Sequence, residues 1–261
     1  MPRKQRIKSN SGYYHIILRG NERKNIFKGD VDKLRFMEIM REKKNIDRFF
    51  LHAFCLMDNH VHLTISEGTE DISTVIKLIA VSYVYYFNKK YKRVGHLFQD
   101  RFKSEVVEND RYLLALARYI HQNPVKAGMV ERMSDYKWSS YNYYLKYNNI
   151  FSEILNTDTI LNIFSPNKDE AIERYISFMN KECDETFIDL EEESKVMDEE
   201  EARDLFQKMV RDHELESNDN GKMKIPDGLI KEFRQKTNMS IRKIAAITGL
   251  NKDKVNKILR S

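Results

Sequence analysis

The sequence predicts an α+β protein: one four-stranded sheet unit built as strand, helix, strand, strand, helix, strand, with an added tyrosine-bearing helix, followed by an all-α C-terminal region. Three observations predict it. β-rich runs and helix-period segments alternate in that order between residues 10 and 125. A further helical stretch containing Tyr119 follows the last strand, and beyond residue 148 the apolar patterns are helical.

The elements follow in order. YYHIILR, residues 13–19, is a β-rich run that ends at Gly20-Asn21. Asp30 opens a segment whose apolar Val31, Leu34, Met37 and Ile46 fit a helix face. Residues 49–57 and 60–66 are strands joined by a tight turn at Asp58-Asn59, which makes a hairpin. From Ile72, the residues Val75, Ile76, Ile79, Tyr83 and Phe87 recur at helical spacing. Residues 102–107 read as a short strand, and Asn109-Asp110 cap a helix through Leu113, Ala117 and Ile120 that Asn123-Pro124 is expected to stop. This order is the ferredoxin-like split βαβ arrangement. The aromatic stretch at 134–147 is expected to pack against it, with the only tryptophan, Trp138, in the core.

After Asn148, residues 158–164 and 168–180 suggest helices, and an acidic tract follows. In 182–204 twelve acids face two bases, whereas 222–261 holds eleven bases and three acids and the N-terminus carries Arg3, Lys4, Arg6 and Lys8. Basic ends around an acidic middle, within a net charge of +5, suggest a polyanionic partner. Near the C-terminus Ser240 can cap a short helix with Ile244 and Ala245 inward. Thr248-Gly249-Leu250-Asn251 then turns the chain into a last helix that buries Val255, Ile258 and Leu259, a helix-turn-helix pattern. The expected division is a sheet domain at 1–147, a helical and acidic connection at 148–221 and a terminal module at 222–261. Two cysteines, Cys55 and Cys183, exclude a disulfide framework or a cysteine zinc site. No long apolar run or secretory leader is present, so the expectation is a cytoplasmic protein with no membrane partner.

Chemistry concentrates in CLMDNHVHLTI, residues 55–65. Residues two apart on a strand share a face, so His60 and His62 flank one point while Val61 turns away. Two imidazoles can hold Mg²⁺ or Mn²⁺ once oxygen donors complete the shell. On the residues alone, His60 can equally be a hairpin cap and His62 a polar sheet residue. Tyr119 and Asn123, four apart, share one face of the helix after the last strand. Laid over the sheet, that helix brings a phenol and a carboxamide near the histidines. Such a set suits attack by the tyrosine oxygen on a phosphodiester, displacing the 3′ oxygen and leaving a phosphotyrosine. A free phenol has a pKa near 10, so the nucleophile needs a base or a cation to react at neutral pH.

MDNHVHL, GHLFQDRFKS, ARYIHQNPVKAG and WSSY, in that order, resemble the HUH-type single-tyrosine transposases, in the branch of the repeat-associated tyrosine transposases. The resemblance covers about residues 10–147. It implies a catalytic domain acting on single-stranded or hairpin DNA, a divalent metal on His60 and His62, and Tyr119 as nucleophile. Asn123 falls where a polar third ligand sits, a glutamine in part of the family. His121 and Gln122 are nearby but project from other faces.

Arg19, Arg23 and Lys24 after the first strand, and Arg101 and Lys103 around the fourth, are candidates for phosphate contacts. Lys252, Lys254, Asn256, Lys257 and Arg260 on the last helix are candidates for a duplex groove. Competing readings are a catalytically silent DNA-binding regulator that uses the terminal module, and an RNA-binding sheet. The sequence is compatible with a monomer or a homodimer.

Overall fold

The computed structural model describes residues 6–44, 47–145, 151–181, 185, 187, 199–213, 225–237, 239 and 241–260. The chain divides into two units, residues 1–188 and 189–261.

In the first unit four strands form one antiparallel sheet in the order β2-β3-β1-β4: β1 Tyr13–Arg19, β2 Phe49–Leu56, β3 His60–Glu67 and β4 Lys103–Val107. Helices α1 (Asp30–Lys44) and α2 (Ile72–Lys90) interrupt them in the expected places, and α3 (Asp110–Lys126) follows β4. Alternation along the strands gives two faces. Ile16, Leu18, Val61, Leu63 and Ile65 are fully buried on one, with the apolar stripe Val75, Ile76, Ile79, Tyr83 and Phe87 of α2 in the same core. The other face carries His15, Ile17, His62, Thr64 and Cys55, and α3 packs over β2 and β3 there. One extra residue in β2, His52, makes a bulge between Leu51 and Ala53, and its Nε2 lies 2.8 Å from Ser66 Oγ.

Two expectations need correction. Val31 does not face the core: it is 63% exposed, and α1 buries the expected Met37 together with Phe36, Ile39 and Met40. The rotation follows from Asp32, which is buried and accepts from Lys28 N–H, the Tyr86 and Tyr91 hydroxyls and the Lys90 ammonium. Nor does the helix α3 stop at Asn123, since it runs through Pro124 to Lys126. A proline in the last turn removes one hydrogen bond to the preceding turn, which a helix end tolerates. Ile46, Asn148, Ser240 and the acidic residues at 188–198 lie outside the described residues.

Residues 136–145 and 151–156 cover the outer edge of β2. Leu56 N–H donates to Trp138 O at 2.9 Å, Ser140 N–H to Phe54 O at 2.9 Å and Asn156 N–H to Leu51 O at 2.7 Å. Trp138 is buried as expected, its indole N–H donating to Asp30 at 2.6 Å. Helices α4 (Asp158–Phe164) and α5 (Lys168–Met179) add Ile160, Leu161, Ala171, Tyr175 and Met179 to this same core.

The second unit contains α6 (Glu199–Asp212), α7 (Asp227–Thr237), α8 (Ile241–Thr248) and α9 (Lys252–Arg260). Its core joins Phe206, Ile230, Phe233, Ile244, Val255 and Ile258. Gly249, at φ 70°, turns the chain between α8 and α9, a conformation that favours glycine. No described helix is long and apolar enough to cross a membrane.

Candidate active site

The hairpin turn that leads into β3 is tied down from three sides. Asp58 O accepts from Ile26 and Phe27 N–H at 2.9 and 3.0 Å, and its carboxylate pairs with buried Lys33 at 2.8 Å. Asn59 O accepts from Gly20 N–H at 2.8 Å. Gly20 has no room for a side chain, because a Cβ there would meet Lys24 O at 2.0 Å. The motif residues Leu97 and Gln99 bond backbone to backbone with Asn21 and Arg19, fixing the end of β1 beside the turn. His60 therefore starts β3 from a rigid support.

His60 and His62 share one face of β3, with ring centroids 4.9 Å apart. His60 Nδ1 lies 2.6 Å from the Asn59 amide oxygen. His62 is buried, and its Nδ1 lies 3.1 Å from Nε2 of His15 on β1. Burial first, then the charge of Arg19, holds the His60 pKa down to about 4. Burial, with His60 and His15 as neighbours, holds His62 well below the usual imidazole range. Both rings are accordingly neutral at pH 7, the form in which imidazole ligates a metal.

Helix α3 supplies the rest. Asn109 caps it, its side-chain oxygen accepting from Tyr112 N–H at 2.9 Å. Tyr119 and Asn123, one turn apart, face the histidines as the spacing predicts. The Tyr119 ring meets His62 edge-on at 5.6 Å, and Asn123 Nδ2 lies 3.5 Å from His62 Nε2. Asn123 also hydrogen-bonds His60. Tyr119 is 6% exposed and lies against Phe187, with ring centroids 4.8 Å apart. The ammonium of Lys126 sits 5.5 Å from the same tyrosine ring. Among the described residues no three His, Cys, Asp or Glu side chains group as metal ligands. Two neutral imidazoles and a carboxamide do converge, and that donor set fits a divalent cation completed by substrate oxygens.

His121 and Gln122 stand elsewhere. His121 is buried between Ser140 Oγ at 2.6 Å and the Tyr175 hydroxyl at 2.9 Å, and Gln122 donates to the carbonyls of Met179 and Lys181. Of the basic candidates, Arg19 pairs across the sheet with His60 and lies near Arg23. Lys24 is exposed and bonded to Glu22 at 2.6 Å. Arg101 and Lys103 are exposed at the start of β4. On α9, Lys252, Lys254 and Lys257 are exposed and Asn256 is half-buried, while the side chain of Arg260 lies outside the described residues. Sequence reasoning takes His15 for an ordinary satisfied histidine of the sheet and passes over Phe187. For His15 the signal was its place on a strand of the same sheet; Phe187 offered none.

The family described as "Transposase IS200 like" matches residues 8–123, the span from the segment before β1 through Asn123. A putative REP-associated tyrosine transposase of Haemophilus influenzae is 30% identical over 101 residues, covering 34% of this chain and 57% of the relative's length. A REP-associated tyrosine transposase of Escherichia coli is 25% identical over 143 residues, covering 53% of this chain and 81% of its own. A solved structure of a REP-associated tyrosine transposase bound to a REP hairpin is similar with a TM-score of 0.47 at 21% identity, over 60% of this chain and 90% of that one.

Proposed function

Residues 8–123 of this chain belong to the IS200-like transposases, in the REP-associated tyrosine transposase branch, and on that premise we propose that the protein cuts and rejoins single-stranded or hairpin DNA through a 5′-phosphotyrosine on Tyr119. The observation that carries this reading is the convergence of four side chains from two elements: His60 and His62 from β3, Tyr119 and Asn123 from α3. Neither a regulator nor an RNA-binding sheet requires all four.

His60, His62 and Asn123 would hold Mg²⁺ or Mn²⁺. When bound, the cation supplies Lewis-acid polarisation of the scissile phosphate. The Tyr119 oxygen attacks phosphorus and its proton passes to solvent as the new P–O bond forms, while the P–O3′ bond breaks and the 3′ oxygen leaves with that electron pair, taking up a proton from solvent as a 3′ hydroxyl. Because the phosphoester is exchanged rather than hydrolysed, a 3′ hydroxyl can reverse the step and rejoin the strand. Arg19 beside His60 and Arg23 near Arg19, with Lys24, Arg101 and Lys103, are assigned to backbone phosphates.

The catalytic function is assigned to residues 1–147 and the connection to 148–221. The terminal module at 222–261 is read as a helix-turn-helix in which α9 presents Lys252, Lys254, Asn256, Lys257 and Arg260 to duplex DNA. The exposure of three lysines on α9 also favours a second reading, a catalytically silent regulator that binds DNA through this module.

A covalent-adduct assay separates the two. The protein is incubated with end-labelled single-stranded hairpins from the DNA flanking its own gene, with Mn²⁺ or EDTA, and run on a denaturing gel. The expected result is a metal-dependent shifted band that Tyr119→Phe loses completely while still binding the hairpin. Binding without any adduct would replace the transposase reading by the regulator.

A further inference from the structure

The two histidines of the site are held differently. His60 finds its Nδ1 partner, Asn59, within its own turn, whereas His62 finds its partner, His15, on the neighbouring strand. His15 Nδ1 in turn lies 3.7 Å from Oε2 of Glu105 on β4, its direct partner in the register of β1 and β4. The hydroxyl of Tyr112, in the first turn of α3, hydrogen-bonds that same carboxylate.

A neutral imidazole carries one N–H, so a contact between two imidazole nitrogens can run in either direction. A carboxylate close to one ring nitrogen biases the choice, because its negative charge favours the proton on the nitrogen that faces it. Glu105 faces His15 Nδ1 at 3.7 Å, beyond hydrogen-bond distance, so it acts through its charge: the carboxylate favours the His15 proton on Nδ1, and Nε2 becomes an acceptor. His62 must then donate from Nδ1, which leaves the lone pair of its Nε2 on the side of Asn123. The opposite direction would put a proton on His62 Nε2 and bar it from ligation.

We infer that Glu105 and His15 are positioning residues that fix His62 as its Nδ1–H tautomer and so keep Nε2 available as a metal ligand. The inference rests on the reading of His60 and His62 as ligands, and it extends that reading from β3 through β1 to β4. Carboxylate-to-histidine contacts of this kind orient ligands in metal sites and influence affinity about 10–100-fold.

The test uses the full chain labelled with ¹⁵N. Long-range ¹H–¹⁵N correlation in metal-free buffer shows which ring nitrogen of His62 carries the proton, and Mn²⁺ titration of the same samples gives affinity. The wild-type protein is expected to show His62 protonated on Nδ1. In Glu105→Gln, a change of equal size at a partly exposed position, the amide can donate to His15. A large share of His62 should then move to the Nε2–H form, with Mn²⁺ binding weakened about 10–100-fold. An unchanged His62 tautomer, or a changed tautomer with unchanged Mn²⁺ affinity, would overturn the inference. A tautomer shift with Mn²⁺ bound by neither protein would uphold the control of His62 by Glu105 and His15 and overturn the metal reading of the site.

Discussion

Single residues here carry more than one contact, and Ser140 is the clearest case. Its fully buried Oγ accepts from Phe54 N–H at 2.8 Å and lies 2.6 Å from His121 Nε2, joining the edge of β2 to α3. Ser140→Ala leaves a buried amide and an imidazole without that partner, so urea unfolding should show a loss of about 1–3 kcal/mol. At this scale the candidate site was half legible. His60, His62, Tyr119 and Asn123 could be read because periods of two and of 3.6 residues are local rules. His15 and Glu105 could not, because their approach depends on strand register. The His15–His62 contact spans 47 positions, and no short-range pattern encodes it.

At the scale of elements, α3 presents both Tyr119 and Asn123, so the precision of the site depends on how firmly this helix is placed. Its cap, Asn109, is readable in sequence, and Asn109→Ala should cost about 1 kcal/mol. A lower melting temperature, with adduct yield reduced more gently than by any change in the four site residues, is the expected outcome. The order of strands and helices was legible because each element has its own period and its own punctuation at Gly20-Asn21, Asp58-Asn59 or Asn109-Asp110. Two element-level features were not. The face of α1 depends on Asp32, a carboxylate buried because four donors from α2, its following turn and the preceding loop converge on it. The end of α3 depends on where the chain turns after Pro124, and Ala127 N–H closes that end on Asn123 O at 2.9 Å.

For the whole molecule, buried imidazoles link folding to pH. Burial holds His121 down to about 3 and His52 down to about 4, against an unfolded value near 6.5. Below the unfolded value the unfolded chain binds protons that the folded chain refuses, so stability is full above about pH 6.5 and is lost as pH falls toward 3–4. The urea midpoint should drop steeply between pH 7 and 4. His121→Phe should flatten that dependence, although its midpoint at pH 7 is lower. Another property of the whole follows from the described residues that line the outer edge of β2. Trp138, Ser140 and Asn156 occupy backbone groups on its outer side, and the hydroxyls of Tyr136 and Tyr144 occupy two carbonyls more. No described strand lies on the outer side of β4, five residues long and begun by Lys103. The sheet therefore frays from one side only: amide protons of β4 exchange with solvent first, those of β2 and β3 last, and the strand that carries both histidines is among the final parts of the molecule to open.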